Sequence, residues 1–251
     1  MQVIARILGL PRHDYPRFQR WSLEFLSSLA NWERAQAAAR VLDGYFAGVI
    51  ADRRQQPTDD LISDLCTTEC DGHRLNDRDI CGFLRLLLPA GIETTYRSSG
   101  NLLYALLTHP DQLAALRADR SLMPQAIEEG LRWEPPIIFL LRNAVRDTEV
   151  CGTAIPAGSV VNVCTGSANR DETVYNEPDR FDISRRPHQH VTFGWGPHIC
   201  VGMHLARMET TVAMNAVLDR LPNLRTDDDF EPPFVQGTAF RSPPALHVRF
   251  D

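Results

Sequence analysis

The chain has 251 residues, 43% of them hydrophobic and 23% charged, enough to bury a substantial core as one domain. Its net charge of −6 and the absence of any run of arginines exclude a basic nucleic-acid-binding surface, and no apolar stretch reaches the roughly 18 residues that a membrane-spanning helix needs. All 26 basic residues are arginine, which suggests a GC-rich coding sequence and hence a bacterial source. The six cysteines (66, 70, 81, 151, 164 and 200) contain no C-x-x-C pair, so a reducing cytoplasm is expected, with all but Cys200 read as core fillers. The first ten residues are apolar but lack a basic leader and a small-residue cleavage site, so no secretion signal is expected.

Taken in order, the first half reads as helices. Apolar residues recur at three- and four-residue spacing over 18–29 and 32–50, a polar loop spans 53–60, and the pattern resumes over 61–66. Asn76 or Asp77 caps a long periodic segment that runs to His109 and is closed by Pro110; shorter helices follow over 111–117 and from Pro124 to Trp133. Inside the long segment Pro89 removes the N–H that would bond the Arg85 carbonyl, so a widened or kinked helix is expected there. Beyond Trp133 the character changes. Residues 150–163 carry Gly152, Pro156 and Gly158 between β-branched residues and read as a hairpin, 204–220 reads as a helix, and 245–250 as a closing strand. Asp227 to Asp229 form a solvated turn. The expectation is a mainly α fold with small β-sheets, residues 1–251 forming a single domain.

The run from Phe193 to Gly202 carries the strongest chemical signal. Glycines at 194, 196 and 202 permit positive φ and a close backbone approach to a flat ligand, Pro197 stiffens the turn, and Cys200 stands just before a helix, where backbone N–H groups favour a thiolate. This run resembles the haem-binding signature F-G-x-G-x-H-x-C-x-G of the cytochromes P450 and matches every specified position. The resemblance implies a P450 fold, haem b (iron protoporphyrin IX) bound by Cys200 as thiolate ligand, and His198 at a haem propionate, with Phe193, Gly194, Gly196 and Gly202 shaping the cradle.

Other segments resemble the family in the same order along the chain. Ala90 to Thr95 resembles its oxygen-activating pattern A-G-x-[DE]-T-[TS], which makes Thr94 the dioxygen-side hydroxyl and Glu93 the proton-relaying acid; read alone, Thr94 is equally a packing or capping residue. Glu129 and Arg132, three apart on one helix face, match the family's E-x-x-R, a pattern that in isolation is ordinarily a surface ion pair. Pro178-Asp179-Arg180-Phe181 resembles the P-x-R-F meander, so Arg180 is expected to complete a buried Glu129–Arg132–Arg180 cluster. Arg142 resembles the arginine that pairs with a haem propionate, its alternative being a surface arginine on an edge strand. Residues 137–141 and 86–88 would line an apolar substrate cavity.

The resemblance implies a soluble, cytoplasmic, bacterial-type monooxygenase that inserts one atom of dioxygen into a hydrophobic small molecule. Its electrons would come ultimately from NAD(P)H through a separate ferredoxin or similar donor, with Arg185, Arg186 and Arg207 as candidate contacts to that acidic partner. The V-I-x-x-x-L-G-L-P run near the start looks like a segment that members of the family place well inside their sequences, so the N-terminal portion is expected to be absent and a non-catalytic or residual haem-binding fragment is the alternative. A zinc site built from His188, His190, His198, Cys200 and His204 is a weaker alternative, since no paired-ligand spacing announces it; exposed or hydrogen-bonded histidines are expected at 188, 190 and 204.

Overall fold

The computed structural model describes residues 1–186 and 189–251, the side chain of Cys70 aside. His188 therefore lies outside the described residues. The polypeptide gathers into two compact units, Met1–Glu93 and Thr94–Asp251.

In the first unit, α1 (Gln2–Ile7), α2 (Tyr15–Leu26), α3 (Trp32–Gln55), α4 (Leu61–Thr67) and the first half of α5 (Asp77–Thr108) enclose a core that includes Phe18, Leu42, Phe46, Ile62 and Leu84. Each cap has a local cause. Asn31 Oδ1 accepts the Arg34 N–H (3.0 Å), Asp60 Oδ1 the Ser63 N–H (2.8 Å) and Asn76 Oδ1 the Asp79 N–H (3.0 Å), which satisfies donors that a helix start leaves unpaired. Helix α3 continues to Gln55, into the segment expected as loop, because 51–55 contains good helix formers; it stops where Gln56 precedes Pro57. A two-residue hairpin, β1 (Glu69–Cys70) against β2 (His73–Arg74), turns at Asp71 and Gly72, both at positive φ (50° and 75°). Helix α5 runs through Pro89 without interruption.

The second unit is built on the rest of α5 with α6 (Pro110–Ala118), α7 (Met123–Trp133) and the longer α9 (Met203–Arg220), around a core that includes Leu106, Leu116, Ile127, Phe181, Met214 and Leu218. Gly130 in α7 faces Leu102 of α5, where a Cβ would lie 3.0 Å from Leu102 Cδ1; the glycine lets the two helices approach. Between α7 and the short α8 (Thr165–Ala168) lie four strands: β3 (Leu140–Asn143), β4 (Thr148–Val150), β5 (Thr153–Ile155) and β6 (Val160–Val163). The expected hairpin is narrower than 150–163. Strands β4 and β5 close on Cys151 and Gly152, both at positive φ, whereas β6 pairs antiparallel with β3 in the register Leu140 to Val163 and Arg142 to Val161. The closing strand β8 (Val248–Arg249) pairs with β7 (Arg225–Thr226). Among the described residues no helix is long and apolar enough to cross a membrane.

Candidate functional site

The loop before α9 is closed by its own backbone. Gly194 and Gly196 sit at φ of 75° and 76°, a region that costs other L-residues about 1–2 kcal/mol. Between them Trp195 is extended and exposed. Residues Gly196–His198 make one 3₁₀ turn, in which the Ile199 N–H donates to Gly196 O (3.0 Å); the chain then returns so that the Cys200 N–H donates to Phe193 O at 2.8 Å. This bond fixes the loop's two ends together and leaves the Cys200 side chain exposed. A Cβ on Gly202 would sit 3.9 Å from Cys200 Sγ, so the glycine keeps one side of the sulfur clear.

Arg142 lies on β3, exposed, and donates from Nη1 to Leu141 O (2.9 Å). It shares a strand face with Leu140, whose Cδ1 is 3.9 Å from where a Gly194 side chain would begin, so this face of the strand adjoins the cysteine loop. His198 is exposed within the 3₁₀ turn and Phe193 is half-buried behind it. Glu93 and Thr94 are consecutive in α5 and both half-buried.

The carboxylate of Glu129 anchors the coil that leads into the loop. Arg132 grips it from Nε (2.7 Å to Oε2) and Nη2 (2.8 Å to Oε1), then donates from Nη1 to the carbonyls of Asn169 (3.0 Å) and Pro178 (2.7 Å) and from Nη2 to that of Arg180 (3.0 Å). All five guanidinium N–H groups are thus engaged, which is what allows a charge with 2% exposure to remain buried. The Asp182 N–H (2.9 Å) and Arg185 Nε (3.2 Å) also donate to Glu129 Oε1.

Comparison with known proteins decides the family. The family model for cytochrome P450 matches residues 1–248. The chain is 41% identical to the cytochrome P450 monooxygenase PikC of Streptomyces venezuelae, over 90% of this chain and 54% of that protein. It is 38% identical to the steroid C26-monooxygenase of Mycolicibacterium smegmatis, over 100% of this chain and 64% of that one. It belongs to the cytochrome P450 family. The fold agrees. The crystal structure of CYP109E1 from Bacillus megaterium in complex with testosterone superimposes with a TM-score of 0.88 at 35% identity, over 99% of this chain and 69% of that one. The chain thus spans about half to two thirds of the length of the curated relatives it matches.

The P450 family implies haem, and the residues around Cys200 suit it. An exposed thiol with a glycine beside its sulfur, an apolar rim of Trp195, Ile199 and Val201, and a cation on the adjoining strand provide a ligand, room for a flat macrocycle and a partner for its carboxylates.

Three expectations for this P450 are corrected by the geometry. Arg180 is not in the buried cluster: its guanidinium is exposed and pairs with Glu177 (3.1 Å), and only its backbone carbonyl faces Arg132. Arg185 takes that place, because Glu177 turns the chain at positive φ and Asp182 Oδ1 caps a further turn by accepting the Ser184 N–H (2.9 Å), which aims Arg185 back at Glu129. For the same reason Arg185 is no docking arginine, and Arg207, bound to Glu128 at 2.6 and 2.8 Å, is not one either; Arg186 alone of the three is exposed. Among the described histidines, His190 is buried and hydrogen-bonded, whereas His204 is exposed. The sequence reading missed Glu128 and Asn169, although a second acid beside Glu129 on an amphipathic helix was the available signal; the hydrogen-bonded histidine expected at 190 is found, but its partner Glu128 was not foreseen.

Proposed function

We propose that this chain is the haem-thiolate part of a P450 monooxygenase that hydroxylates a hydrophobic small molecule, residues 1–251 acting as one haem-thiolate domain. The observation that carries the reading is the closed loop that presents Cys200 outward between two left-handed glycines and the start of α9. Haem held here would supply dioxygen activation, assisted by electron donation from the thiolate. Cys200 Sγ would be the ligand, Phe193, Gly194, Gly196 and Gly202 would form the cradle, and Arg142 with His198 would hold the propionates. Thr94 would supply a hydroxyl able both to donate and to accept a hydrogen bond, and Glu93 would supply an exchangeable proton. A hydrophobic substrate is supported by the steroid in the name of one relative and in the complex of one structural neighbour. Electrons arrive from NAD(P)H through a separate ferredoxin-like donor in the cytoplasm, and Arg186 is the contact that remains available to it.

The test is haem titration of this chain, followed by the spectrum of its reduced carbon-monoxide complex and by turnover with a surrogate ferredoxin system. The red-shifted Soret band of thiolate ligation is expected, and Cys200→Ser should abolish it; a variant that keeps the band overturns the assignment. Haem uptake without turnover would favour the second reading, a non-catalytic haem-binding fragment.

A further inference from the structure

Glu128 sits one residue before the cluster acid Glu129, on the same helix, and about 100° around it, so its carboxylate leaves α7 in a different direction. There it meets Arg207 of α9 in a two-pronged contact, Nε to Oε1 at 2.6 Å and Nη2 to Oε2 at 2.8 Å, and His190 Nε2 at 3.2 Å from Oε2. The Thr192 N–H donates to His190 Nδ1 (3.3 Å), so the ring proton lies on Nε2 and points at Glu128. The guanidinium of Arg207 lies 4.6 Å from the centre of the Phe193 ring, and the His190 ring centre is 5.8 Å from it. Thr192 Oγ1 returns to α7 through Leu131 O at 2.7 Å. Phe193 is the residue whose carbonyl receives the Cys200 N–H. Burial alone would push the Glu128 carboxyl up, but the hydrogen bonds from Arg207 and His190 hold it at about 2, so it is ionised at working pH.

From this arrangement we infer that Glu128, Arg207 and His190 are positioning residues: one carboxylate ties down both the entry to the cysteine loop and the helix that follows it, and so sets where Cys200 points. The loop's own hydrogen bond closes it on itself; these three side chains fix it to α7 and α9, alongside Thr192 Oγ1 on Leu131 O and the Val191 N–H on Asn169 Oδ1 (2.8 Å). Arg207 lies seven residues after Cys200, about two helical turns on, and acts through Phe193 and α9 rather than by touching the sulfur. The two-pronged bond and the cation–π contact both need the planar guanidinium, which lysine lacks. The functional consequence, an aimed thiolate, rests on the reading of Cys200 as haem ligand; the mechanical claim does not.

The test is amide hydrogen exchange on the haem-free 251-residue chain. Arg207→Gln should speed exchange at Cys200 and Gly194 by about tenfold or more while the amides of Leu113 and Leu116 in the core keep their rates. Glu128→Gln, which nearly conserves shape, should produce the same local effect and serves if Arg207→Gln does not fold. Arg207→Lys should restore only part of the protection. Unchanged exchange at the loop, an equal rise throughout 94–251, or full rescue by lysine would each overturn the inference. After haem loading, Arg207→Gln should divert part of the reduced carbon-monoxide complex from the thiolate band to the band of neutral-thiol ligation. If Cys200→Ser leaves the thiolate band in place, the ligand assignment fails, and the exchange data still decide the positioning role.

Discussion

Replacing Arg185 should destabilise the protein far more than replacing Arg180, although Arg180 is the arginine in the recognisable P-x-R-F segment. Arg185→Ala removes a charge-assisted hydrogen bond to Glu129 and donors to the carbonyls of Asn176 (2.6 Å), Glu177 (3.0 Å) and Arg180 (3.1 Å). Glu129 would still hold Arg132 and the Asp182 N–H, so it would not become an orphaned charge, and the loss should fall below the roughly 3–5 kcal/mol of a broken buried pair. A hydrogen bond to a charged group is worth about 1.5–3 kcal/mol, and the exposed carbonyls can turn to water, which places Arg185→Ala at about 2–3 kcal/mol. At about 2–4 °C per kcal/mol for a protein of this size, the melting midpoint should fall by about 4–12 °C. Arg180→Ala removes exposed ion pairs to Glu177 and Asp182 worth about 0–1 kcal/mol, and Arg132→Ala should exceed both other variants because Glu129 would lose its main partner. Thermal and urea unfolding of the three variants, followed by circular dichroism, give the order. An Arg180→Ala loss equal to or larger than that of Arg185→Ala would refute the placement of Arg185 in the cluster.

Two further outcomes follow from the charges. The Glu128 carboxyl is depressed from 4.5 to about 2, so the stability it contributes is complete above the unfolded value and is lost as pH falls from about 5 through 2; Glu128→Gln should flatten that part of a stability–pH profile, by about 2 kcal/mol once partial exposure is discounted. Burial, together with Asp43, pushes the Cys81 thiol up to about 11, and Cys66 is buried, so timed alkylation near neutral pH with peptide mapping should label the exposed Cys151, Cys164 and Cys200 well before either; early labelling of Cys81 would contradict its placement against Asp43.

The helices were legible because their causes are local. Asn31, Asp60 and Asn76 cap where their side chains can reach a backbone N–H three residues on, and Pro110 begins a new helix where the sequence places it. The strands were less legible. Val160 to Val163 is β-branched and near a glycine turn, which suggests a local hairpin, yet its partner is Leu140 to Asn143, a choice made by tertiary pairing that no window of sequence contains. The Asp71-Gly72 turn was a local signal, and it was passed over. At the site, the loop's glycines at 194 and 196 were readable from the need for positive φ, but the choice between Arg180 and Arg185 was not. Both lie in an irregular coil whose path depends on Glu177 adopting φ of 49° and on the turn at Asp182, and residue type alone specifies neither.

The same limit explains why Glu128 was overlooked and why it matters. Adjacent acids on an amphipathic helix read as one charged face, yet successive side chains diverge by about 100°, so Glu129 meets the coil at 176–185 while Glu128 meets α9 and the start of the cysteine loop. Two separate segments leading into and out of the cysteine loop are therefore held to one helix. That element is in turn set against α5 by Gly130, whose missing side chain lets Leu102 approach more closely than a Cβ would permit. Any error in the seating of α7 would displace both carboxylates together, and with them the coil and the loop that present Cys200. On this inference the direction in which Cys200 points depends not only on the ten residues that announce it but also on three consecutive ones, Glu128, Glu129 and Gly130, on a helix that does not contain it.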